Sequence, residues 1–343
     1  MNRIRHLQEH LNRWMLVYVS LAIVIGLVVG HLLEATTKTN SGTIGNLTTV
    51  AVFFIIYPMM VNVRFEALLK AGRNLRGIGI AILFNFVWAP LVGWLLATIF
   101  LSDSMLALGF LLVMVVPCSS MAIGYTGLSK GDLELATVVV AMSFILAIAA
   151  VPLWMTLFAS RYQIAVPTGD LINSILTVLV APMILGYLTR QVLLRRLGQA
   201  RFGAIGPLFP AISLLGMYSI VFLIFFGKAS LILDRWQTVL VLLIPNAIFI
   251  GLSLLVLTWL DRRLGLGYEE HMAVAFTSTG KNNGTAIAIA TTAFSPLVAI
   301  PAATMPIFQI LLMVLYLRAA PRLRAWFEPH PKPAPIATVP DRI

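Results

Sequence analysis

The chain has 343 residues, of which 59% are hydrophobic and only 11% are charged, and its mean hydropathy is +0.94. A water-soluble domain carries about 25% charged residues and cannot bury this much apolar surface, so the composition excludes a soluble globular protein. The net charge of +11 is spread over short loops between apolar segments, which is typical of a membrane protein and not of a nucleic-acid-binding one. We therefore expect an all-α protein that crosses the lipid bilayer many times and has no nucleic-acid partner.

Apolar segments of about 20 residues recur along the whole chain, and each is long enough to cross a hydrocarbon core of about 30 Å. They predict ten transmembrane helices, near residues 14–33, 45–64, 77–100, 104–127, 133–159, 170–193, 207–227, 236–260, 270–294 and 296–318. An even number of spans places both termini on the same side of the membrane.

The basic residues indicate which side that is. Most of the 24 Lys and Arg residues fall on the side of the termini. The opposite side carries only Lys38, Arg161, Lys228 and Arg235. Because basic loops stay in the cytoplasm, we expect a multi-pass protein of the plasma (inner) membrane with cytoplasmic N- and C-termini. The proline-rich residues 320–343 predict a disordered cytoplasmic tail.

Two predicted spans carry polar clusters at mid-membrane depth. The fourth contains VVPCSSMAIGYTGLSKGD, residues 115–132, and the ninth contains FTSTGKNNGTAIAIA, residues 276–290. Proline and glycine interrupt helices, and the freed backbone groups are tolerated at this depth only where they line a cavity or pack against protein. The residues that we assign to the two helix breaks are Pro117, Gly124, Gly280 and Gly284. The alternative is two kinked helices with ordinary polar packing.

The two clusters occupy matching positions in the two halves of the chain. A first five-helix repeat, residues 1–159, is followed by a second, residues 160–319, which runs through the membrane in the opposite direction because five is odd. This inverted 5+5 arrangement is typical of secondary transporters, whose substrate site lies between broken helices at the midplane. The predicted substrate-binding residues are Cys118, Ser119, Ser120, Thr279, Lys281, Asn282 and Asn283.

Lys281 follows a glycine, which raises the question of a phosphate-binding loop. Ala275 stands where such a loop needs its first glycine, and Asn282 stands where it needs Ser or Thr, so the motif is absent. Lys281 is instead a charge inside a membrane span, which costs about 2.5–3.5 kcal/mol on insertion scales. A charge at that cost predicts a partner or a role; the alternative is a lysine that only reaches a water-filled crevice.

At these residues the sequence resembles the bile acid:sodium symporter superfamily, which includes the arsenite-efflux permeases. The most specific features are Pro117, the Lys130-Gly131-Asp132 run, Gly280 and the Asn282-Asn283 pair. The resemblance covers nearly the whole chain. It implies that helices 4 and 9 are broken and cross, and that a panel domain of spans 1, 2, 6 and 7 moves against a core domain of spans 3–5 and 8–10.

The sequence departs from the sodium-coupled members of that superfamily. Positions that supply sodium ligands there correspond to Ala122, Ile123, Ala136, Val140, Ser278 and Asn282 in this chain. All 13 acidic residues lie in loops, tails or span ends, and His31 and His271 also lie at span ends, where a histidine is ordinary. The resemblance therefore implies a sodium-independent transporter in which the ammonium of Lys281 replaces the cation.

Two substrate classes remain open. The arsenite permeases resemble this sequence in the Pro-Cys pair at the fourth-helix break, and trivalent arsenic binds thiolates, so we expect Cys118 to serve export of arsenite or antimonite by proton antiport. The alternative is transport of a small organic anion, carboxylate-like or bile-acid-like, held by Lys281 and helix dipoles. A buried cysteine is also commonly an apolar core residue.

The sequence contains no Ser-His-Asp set, no paired carboxylates and no cluster of metal ligands. We therefore predict no enzyme activity, no cofactor and no metal site. The predicted partners are the lipid bilayer, a small-molecule or oxyanion substrate and protons, and the oligomeric state stays open. A channel or a non-transporting receptor is the alternative from a different functional class; saturable counterflow in liposomes distinguishes a carrier from both.

Overall fold

A computed structural model describes residues 2–68, 74–162, 168–234 and 236–327. The regular structure of these ranges is helical, as the composition predicts. Eight of the described helices are long and apolar enough to cross a membrane, judged by length and composition, and each coincides with one predicted span. The predicted fourth and ninth spans are the exceptions, because each is divided into shorter helices. The all-helical polytopic fold class is confirmed.

The first half of the chain begins with a helix that lies outside the predicted spans. Its helices are α1 (Asn2–Arg13), α2 (Met15–Leu32), α3 (Glu34–Thr39), α4 (Ser41–Asn62), α5 (Leu75–Leu83), α6 (Ala89–Phe100), α7 (Ser104–Val115), α8 (Met121–Leu128) and α9 (Leu133–Arg161). A π-helical segment, Phe84–Trp88, joins α5 to α6.

The second half contains the remaining helices of the described residues. Its helices are α10 (Thr168–Ile175), α11 (Ala181–Ile205), α12 (Leu208–Gly227), α13 (Ala229–Asp234), α14 (Trp236–Val241), α15 (Leu243–Arg263), α16 (Tyr268–Thr279), α17 (Asn283–Ile289), α18 (Ile300–Arg318) and α19 (Ala320–Phe327). Two further π-helical segments, Leu176–Val180 and Ala290–Phe294, follow α10 and α17.

Two helices at the ends of the chain lie outside the predicted spans. Helix α1 is too polar to be a span, and it packs on α12, where the Tyr218 hydroxyl donates to the Leu11 carbonyl oxygen at 2.8 Å. Helix α19 forms the first part of the predicted tail, which is therefore folded as far as Phe327. Its Leu323 and Phe327 pack against a buried cluster that includes Tyr268 and Phe276, a contact that the proline content of the later residues does not reveal. Residues 328–343 and Arg235 lie outside the described residues.

The long helices pack in two groups. Helix α12 packs against α2 and α4, and α11 packs against α4; these are the predicted spans 1, 2, 6 and 7. In the second group α16 contacts α5, α8, α9 and α15, while α18 contacts α7, α15 and α17. Movement of one group against the other remains a prediction.

Helix α7 lies unusually close to the start of α18. A side-chain carbon at Gly109 would overlap the backbone carbonyl oxygen of Val298, so no residue larger than glycine fits without moving the backbone. This close approach places α7 directly against the chain that leads into α18.

We expect Gly109→Ala to lower the free energy of unfolding by about 1–3 kcal/mol, because the added methyl group overpacks a buried backbone contact. Thermal unfolding of the purified protein in detergent measures this. The matched control is Gly251→Ala in α15, where an added methyl group meets open space and alanine favours the helix. Equal unfolding temperatures for the two variants would contradict the close approach.

Candidate substrate site at the helix crossover

The two helix breaks meet each other in the middle of the second helix group. The chain leaves helical geometry around Pro117, between α7 and α8, and around Gly280, between α16 and α17. The Ser119 backbone N–H donates to the Gly280 carbonyl oxygen at 2.7 Å, and the Asn282 N–H donates to the Pro117 carbonyl oxygen at 3.0 Å. The breaks therefore satisfy each other's freed backbone groups, which the hydrocarbon interior of a bilayer requires.

The four residues assigned to the breaks do not all lie in them. Pro117 and Gly280 stand at the interruptions, and Gly284 lies in the first turn of α17. Gly124 lies inside α8, in regular helix, and a side-chain carbon there would meet open space. The interruption ends before Gly124 because the crossing contacts involve only the residues up to Ser119.

Lys281 is fully buried at the crossover. Its backbone pairs with that of Cys118 in an antiparallel bridge. Its ammonium nitrogen lies 3.2 Å from the carbonyl oxygen of Asn85 and 3.1 Å from that residue's side-chain oxygen Oδ1. The lysine predicted to be a charge inside the protein therefore has a defined partner, supplied by a different span.

The local sequence explains why Asn85 can accept two hydrogen bonds from Lys281. Asn85 lies in the π-helical segment before α6, where the Ala89 N–H donates to the Phe84 carbonyl five residues back. The residue five after Asn85 is Pro90, which has no N–H, so the Asn85 carbonyl is left for a side chain. The Asn85 amide nitrogen donates to Ala81 and Thr277 carbonyl oxygens at 2.9 and 3.0 Å, which fixes its orientation.

Asn282 and Asn283 shape the start of α17. The Asn282 side-chain oxygen accepts from the Thr285 N–H at 3.1 Å and caps the helix. Asn283 donates to Gln309 of α18 at 3.3 Å, and Gln309 donates to the Lys281 carbonyl oxygen at 3.2 Å. Gln309 was not among the predicted site residues. A glutamine inside an apolar span is a polar residue at membrane depth, as Lys281 is, so the sequence did contain a signal for it.

Cys118 and Thr279 face away from open space. Cys118 is fully buried, and its sulfur lies 3.2 Å from the Ser143 hydroxyl oxygen on α9. Thr279 is also fully buried and donates to the Ala275 carbonyl oxygen of its own helix at 2.7 Å. The structure brings both residues to the crossover but places their side chains in the packed interior.

A cavity of about 710 Å³ lies between the two helix groups and reaches the crossover. Its inner end is formed by five of the seven predicted substrate-binding residues, Ser119, Ser120, Lys281, Asn282 and Asn283. From there it extends toward α1, whose Gln8 and Asn12 line it. Ligand cavities of small-molecule carriers and receptors have volumes of about 300–1,000 Å³, so this space suits an organic molecule.

Two arginines line the cavity away from the crossover. The guanidinium of Arg190 lies over the Phe202 ring at 5.1 Å, and its Nε is 3.7 Å from a carboxylate oxygen of Glu66. Arg64 is exposed at the same cavity. Both were counted only as loop charges in the sequence; their role as lining residues depends on how α4 and α11 pack, which no local pattern encodes.

Within the described ranges no group of three or more His, Cys, Asp and Glu residues lies close enough to hold a metal ion. The positions corresponding to sodium ligands in the resembling transporters include Ala122, Ala136 and Val140, all buried and without polar side-chain atoms.

Comparison with known proteins yields one family and several relatives. A family model described as "Sodium Bile acid symporter family" matches residues 49–235, more than half of the chain. The chain is 25% identical over 347 aligned residues to "Arsenical-resistance protein Acr3" of Alkaliphilus metalliredigens, which covers 92% of this chain and 93% of that protein. It is 26% identical over 267 residues to "Uncharacterized sodium-dependent transporter YocS" of Bacillus subtilis, covering 78% and 80%.

The contact between Lys281 and Asn85 predicts that removing either partner lowers the stability by a different amount. Asn85→Ala removes an oxygen from a buried ammonium and is expected to cost about 3–5 kcal/mol. Lys281→Met keeps the length of the side chain, removes the charge and leaves Asn85 oxygens unpaired, which costs about 1–3 kcal/mol. Thermal unfolding in detergent should rank wild type above Lys281→Met, and Lys281→Met above Asn85→Ala.

The double variant Asn85→Leu with Lys281→Met is the control for this pair. Replacing both buried polar side chains with apolar groups should recover part of the lost stability, because the buried charge and the Asn85 Oδ1 acceptor are both removed and only backbone carbonyls lose a donor. A variant Asn85→Ala that is more stable than Lys281→Met would show that the lysine does not depend on this contact.

Proposed function

Because the chain belongs to the Sodium Bile acid symporter family and is a multi-pass membrane transporter rather than an enzyme, we propose that it carries a small organic anion through its cavity by alternating access. Transport proceeds without sodium, and the ammonium of Lys281 takes the place of the cation. The observation that carries the proposal is a cavity of about 710 Å³ whose wall combines two arginines, several amides and hydroxyls, and apolar side chains.

The chemistry of the lining supports an organic anion. Arg190 and Arg64 offer guanidinium groups, which pair with carboxylates through two parallel hydrogen bonds. Apolar side chains that include Met59 and Met217 offer surface for a hydrocarbon body. The arginines and the amides of the crossover lie at different parts of one cavity, so an amphipathic anion several atoms long can contact both.

The position of Lys281 supports independence from sodium. A sodium ion needs several oxygen ligands, and two oxygens near the crossover, both from Asn85, already accept from the ammonium. The neighbouring positions Ala122, Ala136 and Val140 add no oxygen from their side chains. The ammonium of Lys281 therefore holds the two helix breaks against the span that carries Asn85. No sodium ion has to bind before the substrate does.

We place the protein in the plasma (inner) membrane with both termini in the cytoplasm, on the basis of the loop charges. The cavity reaches Arg64, Arg190 and the N-terminal helix, which lie on the cytoplasmic side in this orientation. The described conformation is then inward-facing.

Counterflow in liposomes tests the organic-anion proposal. Taurocholate represents bile acids and benzoate represents small carboxylates; at least one should show saturable counterflow in sodium-free buffer that added sodium does not increase. Arg190→Gln should raise the KM about tenfold or more, because it removes a charged hydrogen-bond donor worth about 1.5–3 kcal/mol. Lys38→Gln removes an exposed lysine that does not line the cavity, and it should leave the KM unchanged.

Absence of counterflow for both anions with well-folded protein would contradict the organic-anion proposal. Linear, unsaturated flux would instead indicate a channel. Counterflow that requires sodium would contradict the role given to Lys281 while leaving the substrate class intact.

Export of arsenite or antimonite by proton antiport is the second candidate. It is favoured by the position of Cys118 at the crossover and by similarity to the arsenical-resistance protein over 92% of the chain. The burial of the thiol against Ser143 makes it the less direct interpretation of the cavity, because the sulfur must first be uncovered to bind arsenic.

Arsenic accumulation in cells stripped of their own arsenic efflux distinguishes the two candidates. If the anion carrier is correct, wild type and Cys118→Ala should accumulate arsenite equally. Lower arsenic in wild-type cells, restored by Cys118→Ala and also by Cys118→Ser, would favour the arsenite exporter. The serine variant keeps the size and the hydrogen bond to Ser143, so it isolates the sulfur.

A further inference from the structure

A second polar cluster lies away from the cavity, where α15, α16 and α18 come together. Asp261 and His271 are both fully buried, and the His271 ring nitrogen Nδ1 lies 2.6 Å from Asp261 Oδ2. The other ring nitrogen, Nε2, lies 2.6 Å from the hydroxyl oxygen of Tyr316. The prediction of an ordinary interfacial histidine is therefore wrong. The two partners come from different helices, and the fold brings them together.

The chain of hydrogen bonds indicates where the hydrogens lie. The Thr258 hydroxyl donates to the Leu254 carbonyl oxygen at 2.6 Å, so its oxygen is free to accept from the Tyr316 hydroxyl at 2.5 Å. A hydroxyl has one hydrogen to donate, so the Tyr316 oxygen then accepts from His271 Nε2. With Nδ1 donating to Asp261, this hydrogen-bond pattern has room for a hydrogen on both ring nitrogens.

The charge balance points in the same direction. An imidazolium beside the Asp261 carboxylate gives a buried pair with no net charge. Without the extra proton the carboxylate is a lone buried charge, which is costly in a low dielectric. The second carboxylate oxygen, Oδ1, has no hydrogen-bond partner among the described residues, so little else compensates the charge. The buried state of this cluster therefore favours a bound proton.

Other ionisable groups surround the pair without replacing the proton. Glu270 precedes His271 and is held by Asn74 at 2.6 Å and by the Gly267 N–H at 2.8 Å; its negative charge disfavours a lone carboxylate nearby. The ionisable groups on the helices around the pair and at their ends include Arg76, Tyr125, Asp132, Arg262, Arg263, Tyr268, Glu269, Glu270, Tyr316, Arg318, Arg322 and Arg324. In the described ranges the ion-pair partner of Asp261 is His271.

The C-terminal helix α19 covers the cluster. The Phe327 ring stacks on the His271 ring, with centroids 4.5 Å apart and planes 15° from parallel. Two cation–π contacts attach the same helix: Arg262 lies 4.0 Å from the Trp326 ring, and Arg324 lies 4.6 Å from the Tyr268 ring. Movement of this helix away from α16 would expose the imidazolium face to water.

The cluster and the crossover lie at opposite ends of one helix, α16. Tyr316 packs edge-on against Phe276, with ring centroids 6.1 Å apart, and Phe276 stacks on Tyr125 of α8 at 5.5 Å. The Phe276 carbonyl oxygen accepts from the Gly280 N–H at 2.9 Å. A change in the Tyr316 hydrogen bonds can therefore reach both broken helices through directly packed groups.

We propose that Asp261 and His271 form a proton-binding site, covered by α19, through which a proton gradient drives transport. One proton binds at His271 Nε2, and the Tyr316 hydroxyl hydrogen turns from Nε2 to Thr258 as it does so. The proton leaves to water when the cluster is next uncovered, and the Asp261 carboxylate stays ionised throughout. The coupling to transport rests on the proposed function, whereas the proton binding itself does not.

Nitrogen NMR of the full-length protein in lipid nanodiscs tests the binding. The five histidines are labelled with ¹⁵N, and spectra are recorded at about pH 8, where an ordinary imidazole is neutral. We expect one imidazolium signal that His271→Gln removes and Asp261→Asn converts to a neutral ring. His10→Gln is the matched control, because the His10 ring also contacts a tyrosine hydroxyl, at 3.0 Å, but on the exposed surface. The imidazolium signal should survive it.

A neutral His271 in the wild-type spectrum at that pH would overturn the proposal. Assignment needs only the wild type and His271→Gln, so the result stands even if Asp261→Asn does not fold. Phe327→Ala should replace the imidazolium signal with that of a neutral ring at the same pH, because it uncovers the ring; an unchanged signal would overturn the covering role of α19.

Transport in liposomes tests the coupling. A gradient of about one pH unit supports about tenfold accumulation for one proton per substrate. Whichever anion shows counterflow should accumulate to that extent in wild type, and His271→Gln should lower the ratio of gradient-driven uptake to equal-pH counterflow about tenfold. Wild-type accumulation in His271→Gln would overturn the coupling. If the wild type transports neither anion, the proposed function fails, while the NMR result still decides proton binding.

Discussion

The buried contact between Lys281 and Asn85 is the constraint on which the rest of the site depends. Two broken helices meet at a depth where lipid hydrocarbon offers their backbone groups no hydrogen-bond partner, and the ammonium joins this crossing to a third span. Its acceptor exists because a π-helical segment and Pro90 leave the Asn85 carbonyl without a helical donor. On the other side, Gln309 binds the Lys281 carbonyl. The side chain of Lys281 thus occupies space beside the helix breaks that a mobile ion could otherwise hold.

This arrangement separates the groups that build the crossover from those that face the cavity. The side chains of Cys118 and Thr279 pack in the protein interior. Ser120, Asn282 and Asn283 instead border the cavity. The arginines stand at a distance from the crossover, so the cavity presents positive charge and apolar surface together. An anion with a hydrocarbon body fits both features better than a small oxyacid that needs an accessible thiol.

Helix α16 connects this cavity to a second chemical centre. At one end it carries His271, paired with Asp261 beneath the C-terminal helix, and at the other it enters the crossover. Aromatic residues fill the space between, so the two centres touch a common packed core. In the proposed mechanism the proton binds at this second centre, so the contact between Lys281 and Asn85 can stay intact while the proton is exchanged.

The sequence by itself determined the membrane class, the approximate positions of the spans and the two interruptions. Each of these follows from properties of short segments: apolar length, proline and glycine in a helix, and polar residues at membrane depth. It also marked Lys281 as a buried charge that needs a partner. The tertiary structure decided which partner that is, that the breaks bond to each other, and that α19 covers His271. It also decided that Cys118 points away from the cavity and that Arg64 and Arg190 line it. These depend on the packing of spans far apart in the chain, and the direction of a side chain relative to a distant helix leaves no trace in local composition.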